Sequence, residues 1–387
     1  MTFRSGRHFL QIPGPTNIPD RVLRAIDRPI IDHRGPEFVA LTEHLLEGLK
    51  AVFKTSGPVL VFPASGSGGW EAALVNTLSP GDQVLMFDQG FFANGWQSVA
   101  ERHQLQVDTI PHDWRCAVDS GRLAERLAAD KQHTYRAILV VHNETSTGVA
   151  NDIAGIRAAL DQAGHPALLM VDTVSSLASL NYCHDEWGID VAVGGSQKGL
   201  MLPPGLSFNA VSEKALTASG TGNLSRSYWD WRPMLEANDM GFFPYTPATN
   251  LMYGLRESLD MLVEEGLENV FARHVRLGEA TRRAVATWGL EVYPLDPAAA
   301  SNSVTAVLLP EGHDADALRS IILERFDMSL GTGLGKLKGK VFRIGHLGDF
   351  NELMLAGTLC GVEMGLAAAH VPFEPGGVQA AMEYLRT

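Results

Sequence analysis

Residues 194 to 205, GGSQKGLMLPPG, follow the apolar run IDVAV and place a single lysine, Lys198, between Gln197 and Gly199 at the end of a predicted strand. A lysine desolvated at such a point loses proton affinity and becomes a nucleophile toward aldehydes. Its ordinary alternative is a surface lysine in a turn. Asp172 ends a second apolar run, LLMVD, expected to be a central strand, where a carboxylate must pair with something. One suitable partner is a protonated ring nitrogen, since a nearby anion keeps that nitrogen charged. An N-cap for a following helix is the commoner use of Asp at a strand end.

An amine nucleophile and a buried anion together favour carbonyl chemistry on a cofactor such as pyridoxal phosphate, with the pyridine nitrogen facing Asp172 and the ring acting as an electron sink. Other segments offer the accessory groups. In PASGSGGWEAALVNTL a Ser/Gly loop precedes an amphipathic helix, whose free amides and positive end suit a phosphate dianion. Such loops also cap helices without any ligand. The segment is neither a Walker loop nor a dinucleotide GxGxxG, and GTGLGKLKG near residue 333 fails both patterns too, so no nucleotide site is expected. Phe91, Phe92 and Trp96 in DQGFFANGW are candidates to stack on a ring, and periodicity does not choose among them. Thr145 in HNETSTG offers a hydroxyl just past the strand RAILVVH, or serves a turn. Arg343 interrupts the apolar strand KVFRIGHLG; if buried it needs an anion, either a substrate carboxylate or Asp349. IPGPTNIP reads as extended, because proline excludes helix before it, and Pro13 and Gly14 are placed to line a substrate site or merely to tie down the terminus.

The elements that position these groups follow from the apolar pattern. Between about residues 58 and 211, short apolar runs alternate with amphipathic segments, which predicts βαβ units and a mainly parallel sheet covered on both faces, with ligands at the strands' carboxyl ends. From Tyr253 to Trp288 a long helical periodicity suggests a connector. Beyond it come strands at SVTAVLLP and VFRIGHLG, a helix in DADALRSIILERF and a final helix in ELMLAGTLCGVEMGLAAAH, a smaller α+β domain. The expected division is 1–270 for the N-terminal segment and large domain, and 271–387 for the small C-terminal domain.

Composition narrows the partners. The chain has 387 residues, 45% hydrophobic and 19% charged, which fits a globular enzyme of more than one core. A formal charge of -13 without a basic tract argues against nucleic acid or an anionic membrane surface. Cys116, Cys183 and Cys360 are too few and too scattered for a disulfide framework or a CxxC metal site; no metal is expected, and a reduced cytoplasm is. MTFRSGRHFLQIPGP lacks a signal peptide's apolar core, no run of about 18 apolar residues occurs, and Leu-Arg-Thr is not the Ser-Lys-Leu address.

PGPTNIPDRVLRA, DHRGPEF, FPASGSGGWEAALVNTLSPGD, VHNETSTGV, VDTVSSL, GSQKGLMLPPGLSFNAVS, YTPATNLMYGLRE and RFDMSLGTGLGKLKGKVFRIGHLGD, in this order and over nearly the whole chain, resemble the fold-type I, class V pyridoxal-phosphate aminotransferases, most closely the serine:glyoxylate and alanine:glyoxylate group. The resemblance implies an α/β fold-type I transferase in which Lys198 is the Schiff-base lysine and Asp172 the partner of the pyridine nitrogen. It implies a phosphate cup from Ser65, Gly66, Ser67 and Gln197, with Thr145 near the ring hydroxyl and Phe92 stacking on the ring. Arg343 maps to the carboxylate clamp. Tyr245 and Thr246, in YTPAT, map to a segment reaching the neighbouring subunit's phosphate, which implies a homodimer with shared sites.

Two segments depart from the pattern. Gly90-Phe91-Phe92-Ala93 stands in place of Gly-His-Phe-Ala, and SGSGG in place of SGTGA. Phe91 removes a polar group beside the cofactor. The implied reaction moves an amino group from a small L-amino acid, serine first and aspartate or alanine next, to glyoxylate. A desulfurase would need a cysteine on a mobile loop, whereas Cys360 falls in an apolar helical segment. A nucleotide-binding α/β scaffold without catalysis would be a colourless protein.

Overall fold

The computed structural model describes residues 5–386. The first four residues and Thr387, on which the expectations about terminal signals partly rest, lie outside them. A seven-stranded sheet forms the larger half of the molecule, in the order Val59–Phe62, Ser207–Val211, Val191–Gly195, Leu168–Asp172, Tyr135–Val141, Gln83–Phe87, Gln106–Ile110. Only Ser207–Val211 runs antiparallel to its neighbours. The central strands are apolar and buried along their length because helices cover both faces, and two separate apolar cores form, one on each side. Local caps start the covering helices: Asp152 accepts from Gly155 N–H at the start of Ile153–Ala163, and Gly164 ends it in the left-handed region at φ 58°.

The second sheet has five strands, in the order Phe9–Gln11, Met328–Thr332, Val341–Gly345, Val304–Leu308, Glu291–Val292, with its own apolar core. Its outer strand comes from the N-terminal segment, which sequence pattern alone grouped with the large domain; Phe9 to Gln11 pair in parallel with Met328 to Leu330. The long connector is two helices, Thr249–Glu265 and Leu267–Thr287, broken at Gly266, whose φ of 81° suits glycine alone. The helix Glu352–Ala368 is followed by another, Gly377–Leu385, which the apolar pattern did not reveal. No helix among the described residues is long and apolar enough to cross a membrane.

Candidate active site

Asp172 closes its strand, and Lys198 lies in the turn just past the neighbouring strand Val191–Gly195, so both stand at the carboxyl edge of the large sheet. Asp172 is 4% exposed and Lys198 9%. The lysine is therefore no surface turn residue. Its Nζ donates to the carbonyl of Pro13, and Gly14 lies so close that a Cβ there would stand 2.4 Å from Lys198 Cδ. Burial, aided by the Arg343 charge and opposed by Asp172, lowers the Lys198 pKa to about 8.

Asp172 does not cap a helix. Its Oδ1 accepts from Val174 N–H at 2.7 Å and its Oδ2 from the Trp70 indole N–H at 2.9 Å. Burial raises its pKa to about 7 despite those two donors and Lys198, with Glu144 adding to the rise. A carboxyl group so balanced shares a proton readily with a basic ring nitrogen facing it.

A cavity of about 230 Å³ opens beside this pair. Gly14, Ser65, Gly66, Ser67, Phe92, Thr145 and Gln197 line it, together with Asp172 and Lys198. The structure thereby chooses among the aromatics. Phe92 lines the cavity, Trp96 is buried against Trp70, and Phe91 is 42% exposed with its ring edge-on to Phe92. Thr145 Oγ1 donates to Ser175 Oγ at 2.6 Å. Arg343 is buried beside the cavity, where Nε donates to the Thr332 carbonyl at 2.8 Å and Nη1 to the Thr145 carbonyl at 2.7 Å. Among the described residues no carboxylate lies within ion-pair distance of it, Asp349 included. Tyr245 and Thr246 do not line this cavity: Tyr245 stacks on Tyr228, ring centroids 4.2 Å apart, and Thr246 is exposed.

Several site residues carried no conspicuous signal. Trp70, Val141, Asn143 and Val174 complete the lining. Trp70 was legible in principle, since it follows Gly66 by one helical turn. Glu144 is fully buried and accepts from Ser146 and Ala93 N–H at 3.0 and 3.1 Å and from Phe92 N–H at 3.4 Å, anchoring the start of the helix Phe91–Arg102. Gly90 makes room for it, as a Cβ there would meet Glu144 Cγ at 2.2 Å.

The cavity fits pyridoxal phosphate. The first amides of the helix Gly66–Thr77 have no acceptor within the helix and sit at its positive end, where a phosphate is stabilised. Asp172, also in the lining, offers a carboxylate to a ring nitrogen. Asn143 Oδ1 and Gln197 Oε1 are buried without a hydrogen-bond partner among the described residues, as polar atoms awaiting a ligand would be.

Comparison with known proteins bears on the same residues. Residues 8–334 match the family described as aminotransferase class-V. The serine–glyoxylate aminotransferase of Methylorubrum extorquens is 51% identical, the alignment covering 100% of this chain and 98% of that protein. The L-aspartate–glyoxylate aminotransferase of Paracoccus denitrificans is 48% identical, covering 97% of this chain and 95% of that protein. The crystal structure of ureidoglycine-glyoxylate aminotransferase from Bacillus subtilis superimposes with a TM-score of 0.93 at 27% identity, over 100% of both chains. The chain belongs to the class-V aminotransferases, enzymes of the fold-type I architecture whose cofactor is pyridoxal phosphate.

Proposed function

We propose that the protein transfers the amino group of a small L-amino acid, with serine the favoured donor, to glyoxylate, giving glycine and a 2-keto acid. The observation that carries this is a buried guanidinium, Arg343, without a carboxylate partner among the described residues and adjoining the Lys198–Asp172 cavity. Likeness to serine–glyoxylate and aspartate–glyoxylate enzymes, at 51% and 48% identity, supports glyoxylate as the acceptor.

Bound in the cavity, pyridoxal phosphate supplies an aldehyde that takes up the amino group and a ring that draws electrons from the substrate's Cα. The chain's residues do the rest. Amides at Gly66 and Ser67, with Ser65 and Gln197, hold the phosphate. Asp172 would keep the ring nitrogen protonated, Phe92 would stack against the ring and Thr145 would serve its hydroxyl. Lys198 would hold the cofactor through its amine, and the same amine, when free, would carry the substrate's Cα proton. Arg343 clamps the α-carboxylate, while Pro13 and Gly14 close the site over Lys198.

The donor preference rests on charge. Serine needs one carboxylate clamp, whereas aspartate needs a second cation, and a carboxylate left unpaired in a dry site costs several kcal/mol. His33, Arg34 and Lys336 are conceivable sources, yet none lines the cavity; Lys336 Nζ sits over the Trp114 ring, 3.9 Å from its centroid. With glyoxylate saturating, kcat/KM is expected to be highest for serine among serine, alanine and aspartate. A clear preference for aspartate overturns the donor and leaves the acceptor standing.

The proposal includes a homodimer with shared sites, which accords with Tyr245 and Thr246 lying outside the lining of their own cavity. Mixing Lys198→Ala subunits with Thr246→Ala subunits then restores activity in heterodimers, and fully active monomers at high dilution would contradict it. It also includes a cytoplasmic setting, which the three free cysteines suit. The division near residue 270 remains part of it, with the strand Phe9–Gln11 serving the second sheet.

A further inference from the structure

The indole of Trp70 is 6% exposed and held in one orientation. It stacks on Trp96 with centroids 6.0 Å apart and planes 15° from parallel. An indole has a single donor, and Trp70 directs it at Asp172 Oδ2, 2.9 Å away. Packing alone does not demand this. Trp96, in the same stack, buries its own Nε1 with no partner among the described residues. Trp70 also shares a face of its helix with Gly66, so one rigid element presents amides to the phosphate and a donor to the carboxylate.

We propose that Trp70 is a positioning residue that keeps Asp172 ionised and aimed at the ring nitrogen of bound pyridoxal phosphate, an inference that rests on the cavity being the cofactor site. Asp172 and the ring nitrogen compete for one proton. A hydrogen bond donated to the carboxylate stabilises its anion, so the proton stays on the ring. Without the indole N–H, part of that proton passes to Asp172. The ring then carries less positive charge and draws electrons less strongly from the substrate.

Trp70→Phe keeps an aromatic ring and removes the donor, whereas Trp70→Gln keeps an N–H and removes the ring. In the holoenzyme, the visible band of the cofactor joined to Lys198 is titrated with pH alongside steady-state kinetics. Trp70→Phe is expected to move the titration midpoint upward by about one unit, since a less positive ring raises proton affinity at the Lys198 linkage, and to lower kcat about tenfold, the worth of one charge-assisted hydrogen bond. KM for the donor should stay within about twofold, because the substrate clamp is untouched. Trp70→Gln should keep a midpoint near that of the wild type even if it melts at a lower temperature. In an Asp172→Asn background Trp70→Phe should move neither quantity further. An unmoved midpoint in Trp70→Phe, equal shifts in the Phe and Gln variants, or the same fall in kcat with and without Asp172 would overturn the proposal. Should Trp70→Phe fail to fold, Trp70→Leu, which also lacks the donor, takes its place with the same expected and overturning outcomes. Wild-type protein showing no borohydride-sensitive visible band would instead overturn the cofactor site itself.

Discussion

The two sheets bring polar groups to the cavity by different means. In the large sheet, parallel strands with Met170 opposite Val191 and Asp172 opposite Val193 end at a common edge, so whatever follows each apolar run is delivered to the same place. In the small sheet, Arg343 lies in mid-strand, opposite Ala306 on one side and Gly331 on the other, and comes beside the cavity through its hydrogen bond to the Thr145 carbonyl. Strand order therefore positions Lys198 and Asp172, the proposed reacting groups, whereas packing between sheets positions Arg343, the proposed clamp. The clamp should accordingly serve substrate binding more than chemistry.

The largest effect should come from the edge itself. Lys198→Ala is expected to lower steady-state transamination by at least about 10⁴-fold, because both the amine nucleophile and the proton carrier are lost. Its far-UV circular dichroism should remain that of the wild type, since the lysine closes a turn and does not build a core. Near-normal turnover in cofactor-saturated mutant protein would remove the edge from the mechanism.

A smaller and different effect is expected from the second sheet. Arg343→Gln should raise KM for the amino donor about 30- to 100-fold, equivalent to about 2–3 kcal/mol for a lost charge-assisted carboxylate contact, with kcat changed much less. A fall in kcat at constant KM would erase the proposed contrast, placing Arg343 with the reacting groups.

The gentlest test joins the two regions through pH. A depressed lysine pKa frees the amine at lower pH, so the rate at which apoenzyme captures pyridoxal phosphate should rise through a midpoint near 8. The free-amine fraction then climbs from about one tenth at pH 7 to about nine tenths at pH 9. Because the Arg343 charge contributes to that depression, Arg343→Gln should move the midpoint upward. A wild-type midpoint near that of a solvated lysine would mean that Lys198 is not desolvated before the cofactor arrives.

Much of this was legible in the chain. Alternating apolar runs and amphipathic segments carry the βαβ architecture, and Lys198 and Asp172 stand out because each lies at or just past the end of an apolar run. The break in the connector was hidden by continuous helical periodicity on both sides of Gly266, where one backbone angle interrupts the pattern without changing it. The strand at residues 9–11 was hidden because three residues carry too little alternation to read.

Sequence by itself determined which residue types could react and on which elements they end, since strand and helix periods are local properties. Tertiary structure alone decided the partners. It chose Phe92 over Phe91 and Trp96, denied Arg343 an ion pair with Asp349, and sent the Trp70 N–H to a carboxylate 102 residues away. Each of those outcomes depends on contacts between segments far apart in the chain, and no periodicity within a segment records what another will bury against it.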